Sequence, residues 1–261
     1  MGIKNKIAAT ALLLVSMHGA QAGTITDNYV GGDAHGFGDV IASTELRSTY
    51  DISKAVITRV GNALTVTIST GFAGAAHTTT PVGYGDLFLS DIWTPNGTDK
   101  DNYASDNMRN GTVWKFAVSL NEKDREAKNL TGATTTLYKL NGATNAINIL
   151  DSTKVMNDAK LGNYTFRDGQ ADIVNKAART SAALGNNSSI AIDAVADLIT
   201  FQIDITGTDM MSWTSFALHW GETCQNDVIE GITSVVPEPG SVALLGLGLI
   251  GLVAARRRQQ R

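Results

Sequence analysis

The chain has 261 residues, of which 43% are hydrophobic and 18% are charged, and its formal net charge is −4. Residues 23–235 contain 15 Lys and Arg against 24 Asp and Glu, so this central part carries about −9. Nucleic acid and anionic lipid surfaces attract proteins through cationic charge, so an acidic balance argues against both as general partners of the central part. A lone cysteine, Cys224, excludes a disulfide within the chain.

The amino terminus has the pattern of an export signal. Lys4 and Lys6 precede a mostly apolar segment at residues 7–17, and Ala20-Gln21-Ala22 offers a cleavage site of small residues. A charged start, an apolar centre and a small-residue end are typical of a secretory signal peptide. We therefore predict that residues 1–22 direct the chain to the Sec translocon and are removed by signal peptidase.

Residues 23–235 have the pattern of one extracytoplasmic β-domain. In Ala63–Gly71, apolar Leu64, Val66 and Ile68 alternate with Thr and Ser, which predicts a strand with one buried and one wet face. Turn-forming Gly, Asn and Pro residues separate such runs. The strand spacing predicts an antiparallel β-sandwich of jelly-roll type. The predicted strands are Tyr50–Val60, Ala63–Gly71, Tyr84–Ile92, Gly111–Leu120, Thr134–Leu140, Ala146–Leu150, Ser189–Asp193, Leu198–Thr206 and Trp213–Trp220.

Two segments of the domain have a composition that favours helix. Ser152–Leu161 is predicted to form a helical turn, and Ala171–Leu184 holds Ala177, Ala178, Ala182 and Ala183. We assign a short helix to Ala171–Leu184, with an edge strand as the alternative.

Nucleophilic and zinc chemistry have little support. Only His35, His77 and His219 follow the signal segment, and they lack the spacing of a zinc site. Cys224 lies five residues beyond His219 without flanking residues typical of a protease. We expect His219 and Trp220 to end a core strand, with Cys224 as a buried free thiol packed behind it.

A structural calcium ion is the one cofactor that the sequence suggests. Calcium binds hard oxygen ligands, and acidic loops supply them. Asp33 and Asp39, in a glycine-rich loop, could meet Asp86 or Asp91 from a neighbouring loop. The loop that holds Asp99, Asp101 and Asp106 departs from the EF-hand pattern, and Gly31–Asp39 departs from the calcium-binding nonapeptide repeat.

Two carbohydrate-directed alternatives remain open. Trp93, in a predicted loop before Pro95, could stack on a sugar ring, whereas Trp114 and Trp213 lie in strand-like runs and are expected in the core. Glycoside hydrolysis would require two carboxylates at a fold-determined separation of about 5 to 10 Å. The glutamates available for it are Glu45, Glu122, Glu126, Glu222 and Glu230.

The carboxyl terminus has the pattern of a membrane anchor. Val-Pro-Glu-Pro at residues 236–239 precedes an apolar run at 242–255 and then Arg256, Arg257 and Arg258. A basic cluster beside a span resists translocation, which predicts an external domain. As a helix the run covers about 21 Å, short of a hydrocarbon core of about 30 Å. Its apolar side chains include Val242, Leu244, Leu245, Leu247, Leu249, Ile250, Leu252 and Val253.

This order of Pro-Glu-Pro, apolar span and arginine cluster closely resembles the PEP-CTERM sorting signal of Gram-negative bacteria. The resemblance implies that Pro237, Glu238 and Pro239 are the recognition motif and that residues 236–261 are the substrate of exosortase, a membrane transpeptidase. It also implies an association with exopolysaccharide, because exosortase systems often accompany its production.

The sequence therefore predicts a non-enzymatic exported protein of the cell surface or exopolysaccharide matrix. We expect it to be anchored in the inner membrane before processing and to reach the envelope or extracellular matrix afterwards. A lectin-like module is the alternative function, and a carbohydrate-active hydrolase is a weaker one.

Overall fold

The computed structural model describes residues 21–31, 40, 46–76, 82–108, 110–140, 149–151, 170–174 and 183–235. These residues form twelve strands, one four-residue α-helix, α1 (Arg47–Tyr50), and three short 3-10 helices, Asp99–Asp101, Glu122–Asp124 and Asp209–Ser212. The strands are β1 (Gln21–Thr26), β2 (Ile52–Val60), β3 (Ala63–Thr70), β4 (Leu87–Ser90), β5 (Phe116–Ser119), β6 (Leu130–Lys139), β7 (Ile149–Asp151), β8 (Ala171–Val174), β9 (Ala183–Asp193), β10 (Leu198–Asp204), β11 (Ser215–Gly221) and β12 (Val228–Ser234).

Ten of the described strands form one sheet in the order β1-β2-β3-β10-β9-β6-β5-β4-β11-β12, and every neighbouring pair is antiparallel. The sheet curls until β1 and β12 lie side by side, which gives a nearly closed, barrel-like shape. The predicted mainly β, antiparallel class is confirmed. The predicted two-sheet sandwich differs from this continuous sheet, because alternation identifies strands but leaves their pairing order undetermined.

Glycines allow the two edge strands to approach. A Cβ on Gly23 of β1 would lie 2.3 Å from the Thr233 side chain and 2.7 Å from the Ser234 carbonyl oxygen. A Cβ on Gly231 of β12 would lie 2.8 Å from the Ile25 side chain. All three distances are too short for any larger residue to fit unchanged, so these glycines allow the sheet edges to come together.

The main core lies on the inner face of the sheet, as the alternation in β3 predicts. Leu64, Val66 and Ile68 are fully buried there, together with Phe201 of β10 and Phe216 of β11. Burying each such side chain stabilises the fold by about 1.5–3 kcal/mol relative to leaving it exposed.

A second apolar layer covers the outer face of β4, β5 and β11. Phe88, Ala117 and Ala217 point outward from these strands and are packed beneath Trp114 and Val174. The strands β4 and β5 are therefore buried on both faces. This second layer encloses the polar residues described below.

The short helix predicted for Ala171–Leu184 is wrong where the structure describes it. Ala171–Val174 is strand β8, which pairs with β7, and Ala183 begins β9. Alanine-rich composition is a weak local preference, and burial against the second layer overrides it. The turn predicted at Ser152–Leu161 lies outside the described residues.

Candidate functional site

The sequence-predicted sorting segment begins where the described fold ends. Val235 is buried, and its backbone N–H donates to the carbonyl oxygen of Thr214 at 2.9 Å. Pro237, Glu238 and Pro239, the apolar run at 242–255 and the arginine cluster at 256–258 all lie outside the described residues. Among the described residues, no helix is long and apolar enough to cross a membrane.

The two chain ends leave the domain at the same place. β1 and β12 run antiparallel, and the contact of Gly23 with Thr233 and Ser234 puts the start of β1 beside the end of β12. Cleavage after Ala22, as predicted, would remove two of the six residues of β1 and leave Gly23 in place. Both terminal segments therefore meet the folded domain at one end of its sheet.

Trp93 lies in the loop after β4, as predicted, but its ring is not a free platform. The side chain is half-buried, its indole N–H donates to Glu230 Oε1 at 2.8 Å, and its ring meets Tyr103 edge to face at 4.9 Å. Its role as a glycan contact stays a prediction, and only part of its surface is open to a sugar.

Beneath Trp93 lies a buried polar cluster, here called the His219 cluster, that the sequence analysis did not identify. His219 Nδ1 is 2.7 Å from Glu230 Oε2, and His219 Nε2 is 2.7 Å from the carbonyl oxygen of Ala171. Asp106 Oδ2 accepts the Tyr29 hydroxyl at 2.5 Å, and its Oδ1 accepts the Asn96 backbone N–H at 2.7 Å. The cluster thus joins β8, β11, β12 and the loop between β4 and β5. Its members are Tyr29, Asp106, Gln170, His219 and Glu230.

The hydrogen bonds of His219 restrict its protonation. A carbonyl oxygen can only accept, so Nε2 must carry a proton toward Ala171. The contact between Nδ1 and Glu230 then contains one proton, held either by the imidazole or by the carboxyl group. In both arrangements the His219–Glu230 pair has zero net charge.

Asp106 is the remaining acid of the cluster. Burial raises the pKa of Asp106 to about 6, and the nearby Glu230 carboxyl group acts in the same direction. The described side chains around Asp106, His219 and Glu230 leave no room for a water molecule. In this conformation the cluster therefore connects strands and offers no space to a substrate.

The predicted calcium ligands do not assemble among the described residues. Asp86 is buried and bound to Arg125 at 2.7 Å, while Asp91 is bound to Lys115 at 2.5 Å. In the part of the chain that the structure describes, no group of three His, Cys, Asp or Glu is placed to hold a metal ion. Asp33 and Asp39 lie outside this part, so the calcium site stays a prediction.

Cys224 and its surroundings agree with the sequence analysis. His219 and Trp220 lie on the core strand β11, and Cys224 is a buried free thiol. Burial raises the pKa of the Cys224 thiol well above its ordinary value, and the neighbouring Glu222 carboxylate adds to this. A thiol that resists ionisation is a poor nucleophile.

The glutamates considered for glycoside hydrolysis differ in their exposure to solvent. Glu222 and Glu230 are buried, and Glu222 Oε2 accepts the backbone N–H of Asp227 at 3.2 Å. Glu122 and Glu126 are exposed on the turn after β5, and Glu45 lies outside the described residues.

An open groove of about 820 Å³ crosses the outer face of β3, β10, β9 and β6. Thr65, Gln202, Ser189 and Thr134 stand directly opposite one another on these four strands. With strands about 4.8 Å apart, they form a polar row about 14 Å long. Within the described residues these four side chains make no hydrogen bond to protein, so their hydroxyl and amide groups are available to a ligand.

Comparison with known proteins identifies the carboxyl-terminal segment. A family model described as the PEP-CTERM protein-sorting motif matches residues 235–258. No curated protein and no solved structure matches the chain. The match starts at Val235, the last described residue of the fold, and it confirms the resemblance seen in Pro237, Glu238 and Pro239. Residues 235–258 therefore match the PEP-CTERM sorting motif, which supports export of the chain and its sorting by exosortase.

Proposed function

We propose that this chain is a non-enzymatic surface protein, exported by its signal peptide, held in the inner membrane by residues 242–255 and released from that anchor by exosortase. The observation that carries the proposal is the junction at Val235. The sorting motif begins at Val235, directly after β12 ends at Ser234, so cutting in the motif removes the tail without cutting a described strand. The released domain then joins the envelope or the exopolysaccharide matrix.

Substituting Glu238→Ala should abolish processing, because the proposed recognition element loses its only charge while the anchor stays intact. Intact-mass measurement of the protein from cells with exosortase should show the arginine tail retained in the variant and absent from the parent chain. Glu126→Ala, which removes an exposed acid from the folded domain, is the matched control and should be processed normally. A full-length parent chain in cells with active exosortase would contradict the proposal.

A second candidate function is binding of a neutral polysaccharide in the groove across β3, β10, β9 and β6. The unbonded row of Thr65, Gln202, Ser189 and Thr134 favours it, because hydroxyl and amide groups match the hydrogen-bonding groups of sugars. The groove holds one acid, Asp204, and no Lys or Arg among its lining residues, which favours an uncharged ligand over an acidic one.

Gln202→Ala should weaken such binding about 2- to 10-fold, the loss expected for one hydrogen bond. Polysaccharide pull-down at several concentrations measures the change. Asn129→Ala removes an exposed amide outside the groove and should have no effect. If Trp93→Ala weakens binding and Gln202→Ala does not, the site lies at Trp93 and the groove assignment is wrong.

A further inference from the structure

The chain continues into the sorting tail from one end of the described sheet. We call it the tail end: the end of the sheet where β1 begins and β12 finishes. Because all ten strands alternate in direction, β2 and β10 also finish there, while β9 and β11 begin there. The far end carries the opposite connections, including the turn between β9 and β10.

Large apolar side chains are exposed at the tail end. Val60 closes β2, Ile92 follows β4, Leu184 opens β9, and Met211 lies between β10 and β11. They come from four separate connections, yet the topology brings them to one end of the domain. Of the other exposed large apolar residues among those described, Val195 and Leu46 lie at the far end, Ile232 lies within β12, and Val113 lies in the same connection as Ile92.

The two ends also differ in charge. At the tail end, Arg59, Lys115 and Lys139 balance Asp91, Asp204 and Asp209. The described connections at the far end carry more acids than bases. Its exposed or half-exposed acids include Asp51, Glu122, Asp124, Glu126, Asp193 and Asp197, against Arg47, Lys123 and Lys128. An acidic end is repelled by an anionic membrane, whereas a balanced apolar end is not.

The tail keeps this end close to the bilayer. Six residues, 236–241, separate Val235 from the apolar run, and fully extended they span at most about 20 Å. The signal segment leaves from the same end, beside Thr233 and Ser234. A domain tethered this closely has little freedom to turn its far end toward the lipid.

We infer that the tail end is a membrane-resting surface: before processing, Val60, Ile92, Leu184 and Met211 contact the headgroup and upper acyl region of the bilayer that holds the tail. This inference rests on the proposed anchoring by residues 242–255. Lys115 and Lys139 are paired with Asp91 and Asp209 at this end, so these charges add no net repulsion between the tail end and the lipid phosphates. The contact fixes the orientation in which the sorting motif is offered to a membrane enzyme.

Depth-dependent fluorescence quenching tests this orientation in the full chain. Ile92→Cys and Val195→Cys variants are labelled with an environment-sensitive fluorophore and reconstituted in phosphatidylcholine vesicles with brominated acyl chains. The buried Cys224 is shielded from the reagent in the folded protein. We expect bromine to quench the label at position 92 strongly and to leave the label at position 195 unchanged.

A second substitution checks that apolar contact is the cause. Met211→Asp in the Ile92→Cys background should reduce the quenching, while Leu46→Asp at the far end should not. Equal quenching at positions 92 and 195, in vesicles that carry the protein, would overturn the membrane-resting surface and leave the sorting proposal intact. A chain that fails to float with the vesicles would overturn the anchoring itself.

Discussion

Replacing Asp86 with asparagine is expected to lower the free energy of unfolding by about 3–5 kcal/mol, because it leaves a buried guanidinium group without its counter-charge. Asp86 Oδ1 accepts from Arg125 Nη2 at 2.7 Å and from the Leu120 backbone N–H at 3.0 Å. Its Oδ2 accepts the Val174 backbone N–H at 2.8 Å. One carboxylate therefore ties the turn after β5 and strand β8 to β4. Urea unfolding measures the loss.

The expected loss of stability follows from the burial of the Arg125–Asp86 pair and not from its short distance. The Lys115–Asp91 pair is shorter, at 2.5 Å, but its side chains are 41% and 31% exposed, against 7% and 0% for Arg125 and Asp86. Exposed ion pairs contribute about 0–1 kcal/mol, so Asp91→Asn is the matched control and should cost less than about 1 kcal/mol.

A double-mutant cycle separates the charge from the packing. Arg125→Met alone leaves the Asp86 carboxylate buried without a cation, and Asp86→Asn with Arg125→Met removes both charges. The double variant should therefore lose less than the sum of the single losses. Two results would contradict a stabilising buried pair. The losses of the two single variants could add up in the double variant, or Asp86→Asn could lower the free energy of unfolding no more than Asp91→Asn does.

Strands β2, β3 and β10 could be predicted from sequence because they are solvated on one face, whereas β1, β8 and β12 were not predicted. In β3, the alternation of Leu64, Val66 and Ile68 with Thr and Ser records one buried face directly. The turns Gly61-Asn62 and residues 194–197 join strands that pair with each other, so local signals suffice there. The pairing of β3 with β10 joins segments far apart in sequence, and no local pattern encodes it.

The sorting motif and the His219 cluster mark the two limits of sequence reasoning. Pro237, Glu238 and Pro239 are contiguous, so the motif can be recognised from the sequence without knowledge of the fold. The His219 cluster draws on residues 29, 106, 170, 219 and 230, and only the fold brings them together. One feature of β11 could have indicated the cluster. The polar residue His219 interrupts an apolar run, and a buried polar side chain requires a hydrogen-bonding partner.

The His219 cluster also makes the stability of the protein depend on pH. The His219–Glu230 pair has no net charge in either proton arrangement, which leaves Asp106 as the acid whose charge is uncompensated. Because burial raises the pKa of Asp106 to about 6 in the fold, the folded protein binds this proton more tightly than the unfolded chain. The resulting stabilisation is complete below about pH 4 and is lost as the pH rises through about 6.

The full stabilisation is on the order of 3 kcal/mol, and roughly half of it should appear between pH 8 and pH 5. Asp106→Asn should abolish this component, because an amide does not titrate, while its oxygen can still accept one of the two hydrogen bonds that Asp106 accepts from the Tyr29 hydroxyl and the Asn96 backbone N–H. The measurement is urea unfolding at several pH values, compared between the parent chain and the variant.

The comparison is informative because carboxylates far from Asp106 have the same environment in both proteins and cancel in the difference. Asp197→Asn is the matched control: Asp197 is exposed, and its positive φ of 55° suits asparagine equally well. Its stability should follow the parent curve at every pH. If the Asp106→Asn curve instead ran parallel to the parent curve from pH 8 to pH 5, then Asp106 would already be ionised in the fold at pH 5. The His219 cluster would then have to stabilise a buried negative charge that its hydrogen bonds do not neutralise.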